Sequence, residues 1–139
     1  MSQTVRTAVA ARDAAVDAIV RRCDGGTITI YTGPQPATPE APPLGAELAI
    51  GRFGTPAFGR PENGVAVALT IEDEPAIARD GRASWFRVAD GNGAAIWDGS
   101  CGTVGDGTAD LLFDVLDLIA GARLTFPSLS YSLPMASAT

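Results

Sequence analysis

The stretch SWFRVADGNGAAIWD, residues 84–98, decides the fold. Ser84 to Ala89 carries aromatic and β-branched residues and reads as a strand. Asp90-Gly91-Asn92-Gly93 follows and is the strongest hairpin turn in the chain, because Gly and Asn tolerate the positive φ that tight turns demand. Ala94 to Asp98 is then the returning strand. The two tryptophans, Trp85 and Trp97, sit on the paired strands, so they are expected to pack across the hairpin with at least one in the core.

The same alternation recurs on both sides of this hairpin. In 27–32, Ile28 and Ile30 share a face and Thr27 and Thr29 the other. Residues 45–53 alternate with Ala46, Leu48 and Ile50 inward. Residues 64–72 give the cleanest strand, with Val65, Val67, Leu69 and Ile71 predicted inward and Ala66, Ala68, Thr70 and Glu72 on the other face. Phe53 and Phe58 lie in the Gly/Pro loop between these two strands, placed to plug one end of the core. Asp73 to Arg82 reads as a charged loop and Gly99 to Gly107 as a Gly-rich one, with a strand over Asp110 to Val115. In the last strand, 122–133, Leu124 and Phe126 share a face. Pro127 then shifts the parity, and Leu129, Tyr131 and Leu133 resume opposite Ser128, Ser130 and Ser132, which reads as a bulge.

Residues 4–23 hold the long helix. Val5, Val9, Val16, Ile19, Val20 and Cys23 fall on one stripe at helical spacing, Arg12 projects onto its edge, and Asp24-Gly25-Gly26 stops it. One helix and seven strands at hairpin-like spacing predict a mainly β fold, an antiparallel β-sandwich of jelly-roll or immunoglobulin-like type with one N-terminal α-helix. The expected organisation is a helix over 1–24, ahead of a self-sufficient sandwich domain over 25–139. That domain carries an arm, 33–43, whose five prolines (Pro34, Pro36, Pro39, Pro42 and Pro43) exclude a regular ladder. Such an arm suits laying over a partner, because it loses little entropy on ordering.

Composition narrows the chemistry. The 139 residues contain no histidine, and all ten basic residues are arginine, for a net charge of −6. An acidic chain without a basic stripe is a poor nucleic-acid binder. No apolar run reaches the roughly 18–20 residues of a membrane span, and the start, Met1 to Arg6, lacks the apolar core of a secretory leader. Neither nucleic acid nor membrane is therefore an expected partner. Cys23 and Cys101 follow no ligand spacing and read as two reduced, small hydrophobes. A Gly99-Ser100-Cys101 nucleophile lacks a His or Lys base. Asp98, Asp106, Asp110 and Asp114 offer oxygen ligands, but their spacing does not match an EF-hand loop, and Asp-Gly is ordinary turn chemistry. Glu72-Asp73-Glu74 reads as a solvated cap on a strand end rather than a glycosidase pair. No catalytic residue, metal or cofactor is expected, and the chain is not expected to be an enzyme.

What remains is recognition. Arg12 on the helix edge, Tyr31, Pro34, Pro36 and Pro39 on the arm and its approach, and Trp97 are the candidate interface residues. The linear order of the segments adds to this. An Ala-rich helix over 7–23 leads into TITIYTGPQPATPE (27–40), then GAELAIGRFGTPAFG (45–59), NGVAVALT (63–70), GRASWFRVADGNGAAIWDGSCGT (81–103) and the closing LTFPSLSYSLP (124–134). This pattern resembles small virion-associated proteins encoded in the structural modules of tailed bacteriophages. The resemblance implies a capsid cement (decoration) protein, made in the host cytoplasm and located on the phage head surface. Its partners would be the major capsid protein and further copies of itself in a homo-oligomer. Two alternatives stay open: a neck or tail component such as a head–tail adaptor, and a carbohydrate-binding module for receptor recognition, which needs an exposed aromatic platform.

Overall fold

A computed structural model describes residues 6–105 and 107–133 of the chain. After helix α1 (Val9–Arg21) come ten strands: β1 (Thr27–Tyr31), β2 (Glu47–Phe53), β3 (Val65–Val67), β4 (Ile71–Glu72), β5 (Gly81–Arg82), β6 (Trp85–Ala89), β7 (Ala95–Thr103), β8 (Leu111–Phe113), β9 (Asp117–Leu118) and β10 (Ser130–Ser132). Six of them form one curled sheet in the order β4-β2-β1-β6-β7-β8, and β10 with β3 and β5 with β9 form two small sheets. The chain is thus mainly β with one helix, in keeping with a β-sandwich, as the alternation predicts. Its pairings are antiparallel except that of β7 with β8, which is parallel.

The hairpin at residues 84–98 forms as expected. Asp90 and Ala94 close it, Gly93 takes φ +86°, and the Asp90 carboxylate accepts the N–H groups of Asn92 and Ala94, both at 2.9 Å. The tryptophans do not pack across it. Trp85 is opposite Ser100 and Trp97 opposite Val88, three positions apart on β6, so the two rings lie on opposite faces of the sheet. Trp85 is fully buried and stacks on Tyr31, while Trp97 reaches across the core to Phe58 and Tyr131 of the small-sheet layer. Phe53 and Phe58 pack ring to ring at 5.6 Å, as the plug reading requires.

The core is continuous. Val16, Val20 and Cys23 of the helix and its C-terminal turn join Ile28, Ile30, Phe86, Val88, Leu111 and Leu129 in a single cluster. The helix is shorter than predicted: residues 6–8 lie outside it, Val9 is exposed, and Val5 falls outside the described residues. Its end is closed by Cys23 N–H to Val20 and by Gly25 at φ +69°.

Three further expectations are corrected. In β2 Leu48 is buried as expected, but the core face continues through Ala49, Gly51 and Phe53 rather than through Ala46 and Ile50, because the register shifts by one between Ile30 and Tyr31. Gly51 is needed there: a Cβ would lie 2.7 Å from the Phe126 ring. The segment Gly99 to Thr103 is strand rather than loop, since β7 runs on past the hairpin to pair with β6 and β8. Most importantly, 64–72 is two strands in two sheets, and the predicted inward face is inverted over 65–69, while Ile71 packs against the core as expected. Ala66 is buried, whereas Val65, Val67 and Leu69 are exposed.

Candidate docking surface

The inversion at β3 has a local cause. Asn63 and Gly64 both have positive φ, 52° and 79°, the signature of a two-residue type I′ turn. Glu62 and Val65 exchange backbone hydrogen bonds on either side of it, so their side chains share one face. A glutamate at 62 puts that face in water and carries Val65 and Val67 out with it. The inner face is then held close to the helix. The Asp13 carboxylate accepts the Gly64 N–H at 2.6 Å, the Arg12 side chain lies against Gly64, and α1 packs on β3 and β10. Alanine at 66 fits that close approach, and larger side chains face outward.

The resulting surface is a ridge with low flanks. Val65, Val67 and Leu69 are 39%, 48% and 54% exposed. Ser130 is paired with Val67 and Ser132 with Val65, so the serines stand beside the ridge on the same outer face. On the other side, Gly59 donates its N–H to Val67, extending the sheet by one short segment. A groove of about 320 Å³ runs along this side, rimmed by Arg60 and Glu62. Neither side chain takes part in an ion pair among the described residues. The signal that locates this surface is Asn63-Gly64, a two-residue hairpin signature in the sequence.

The candidate interface residues do not converge on one surface. Arg12 is turned onto its own chain, its Nη2 donating to the Leu133 carbonyl at 2.7 Å. Trp97 is half-buried against Tyr131, with ring centroids 4.3 Å apart. Tyr31 stacks on Trp85 at 4.5 Å on the other face of the sheet. In the Pro-rich segment, Pro34 is exposed, Pro39 half-buried and Pro36 buried. Glu40 adds a small favourable charge effect at Arg87. On the Tyr31–Trp85 face Arg87 forms a two-pronged pair with Asp98, and its guanidinium stands 5.3 Å from the centre of the Trp85 ring. The hydrogen bond that Arg87 donates to Asp98 is the main cause that holds its guanidinium above its ordinary range.

The groups with chemical potential are engaged or suppressed. Burial, aided by Asp24 and Asp90, pushes the Cys23 thiol up to about 12, and burial with Asp110 pushes Cys101 up to about 12. Both are free thiols. Among the acids of the proposed oxygen-ligand set, Asp98 is held by Arg87, and Asp110 accepts the Ser100 N–H and hydroxyl. Asp106 lies outside the described residues. Asp73 pairs with Arg123, and Glu74 accepts the Ile50 N–H, so the acidic triplet at 72–74 is divided between partners. No three metal-ligating side chains converge among the described residues, and none of their helices is long and apolar enough to cross a membrane. A second exposed apolar group, Val115 and Ile119, borders a cavity of about 290 Å³ that Asp114 and Asp117 also line. In comparisons with known proteins, no family model, no curated sequence and no solved structure matches this chain.

Proposed function

We propose that this chain is a structural assembly protein: it binds protein surfaces, catalyses nothing, and serves as a capsid cement protein on a tailed-phage head, with the major capsid protein as its partner. The observation that carries the assembly reading is the β3 ridge. A strand that turns alanine inward and valine and leucine outward presents apolar area for another protein to cover. The placement on a phage head rests on the sequence resemblance alone. The two thiols, both held protonated well above the ordinary range, and the divided carboxylates support a role in recognition rather than covalent chemistry. The carbohydrate alternative receives less support, because Trp85 is buried and Trp97 is stacked on Tyr131.

The test is binding of the purified chain to undecorated, expanded capsids of a tailed phage whose structural module encodes it, read by co-sedimentation and particle imaging. Density repeated over the whole shell is the expected result. A single ring at one vertex or along the tail would replace cement with the neck or tail reading. Absence of binding to any part of the particle would overturn the phage assignment.

A further inference from the structure

We infer that the outer face of the β3–β10 sheet is a self-association surface, on which a second copy of this chain docks face to face about a twofold axis. This deepens the assembly reading by naming one partner, and it rests on that reading only in taking the occupant to be a protein.

Shape is the first argument. Val65, Val67 and Leu69 form a single raised line, with Ser130 and Ser132 on one flank and Gly59 on the other. Two such faces cannot meet ridge on ridge without leaving gaps. Offset by one strand, each ridge lies in the groove over Gly59 of the other, which is how aligned sheets interdigitate at about 10 Å. The fit is self-complementary, as an isologous interface requires.

Charge is the second argument, and it selects a second copy over an unrelated protein. With a net charge of −6, two copies repel each other over most of their surface. The groove beside the ridge carries one cation and one anion, Arg60 and Glu62, and so is locally neutral. Both are outside any ion pair in their own chain among the described residues. A twofold axis through the groove sets Arg60 of one copy opposite Glu62 of the other, twice. The apolar group at Val115 and Ile119 fails this criterion, because charges around it are already paired within the chain, Asp117 with Arg82 and Arg123 with Asp73.

Three ridge side chains are short of the roughly 800 Å² per partner of a standard interface, so the dimer is weak, with a Kd on the order of 100 μM. Sedimentation equilibrium of the purified chain alone, from about 10 μM to 1 mM, reads it directly. The expected result is a reversible monomer–dimer equilibrium that Val67→Asp weakens by about tenfold or more. Arg60→Glu and Glu62→Arg should each weaken it, and the double variant R60E/E62R should restore it, since the swap rebuilds the same two pairs. Should Val67→Asp disturb folding, the three charge variants at exposed positions carry the test. A chain monomeric throughout this range, a dimer indifferent to Val67→Asp in a folded variant, or a double variant no better than the singles would each overturn the proposal. No capsid is present in this experiment, so its failure leaves the capsid-binding test standing, and the reverse also holds.

Discussion

Arg87 and Asp98 face each other across β6 and β7 through two parallel hydrogen bonds, Nε to Oδ1 at 2.7 Å and Nη2 to Oδ2 at 3.0 Å. Their side chains are 11% and 3% exposed, so the pair is almost fully withdrawn from water. It also carries the Arg87 guanidinium to the Trp85 ring, so one contact organises a whole face of the large sheet.

Removing one partner of such a pair leaves a buried charge uncompensated. Asp98→Ala should cost about 3–5 kcal/mol in urea unfolding. Asp17→Ala, which breaks the exposed pair with Arg21 on the helix, should cost about 0.5 kcal/mol or less. Similar losses at the two sites would show that Arg87 and Asp98 are solvated in solution.

The inverted face of β3 makes a prediction opposite to the one its alternation suggests. Leu69→Ser should change stability by about 1 kcal/mol or less, because the side chain is already more than half exposed. Ala66→Leu should cost about 1–3 kcal/mol, because the added methylenes enter a buried site beneath the helix. Thermal and urea melts of both variants decide it. A larger loss at Leu69 would restore the inward reading of that residue.

The turn that sets this face can be tested separately. Gly64→Ala should lose about 1–2 kcal/mol, from φ +79° alone and before any displacement of Arg12. Asp13→Ala should lose a further amount on the order of 1–2 kcal/mol by orphaning the Gly64 N–H. The two losses should not add in the double variant, since both act on one contact between helix and turn.

Alkaline pH probes the thiols. Burial raises both from 9.0 to about 12, so the folded state holds its protons where the unfolded state releases them. Stability from this source is complete below pH 9 and is lost as pH rises from 9 toward 12. Tyr31 and Tyr131, also raised by burial, act with the same sign above pH 10. The double variant Cys23→Ala/Cys101→Ala should therefore show a shallower fall of Tm between pH 9 and 10. An unchanged slope would place the thiols in water.

The hairpin at Asp90 and the β-rich character were legible because both are local: turn chemistry and side-chain period are properties of a few consecutive residues. The parity of β2 was not, since it depends on a bulge against β1, where Tyr31 pairs with Glu47 but Ile30 with Ala49. At β3 the period of two was visible, but which half faced inward depended on Asn63-Gly64 and on the helix seated behind Ala66. Valine is the more apolar choice, and composition alone sends it inward. The docking surface was therefore missed by assigning the faces before the turn. For Arg12 the position at the edge of the helix stripe was legible, but its partner within the chain was not. Its acceptor, the Leu133 carbonyl, lies 121 positions away, and no window of sequence contains both.

That separation also orders events in time. Helix α1 precedes all the described strands, but its seat is made from β3 and from β10 near the far end of the described chain. Closing a loop this long costs entropy before the contact returns any, which raises contact order and slows folding. The helix therefore leaves the ribosome with Val16 and Val20 uncovered, and its seat is complete only once β10 has been made. A chain stalled before residue 130 would display these valines together with an incomplete small sheet, and would be a substrate for chaperones and proteases rather than a shorter version of the same protein.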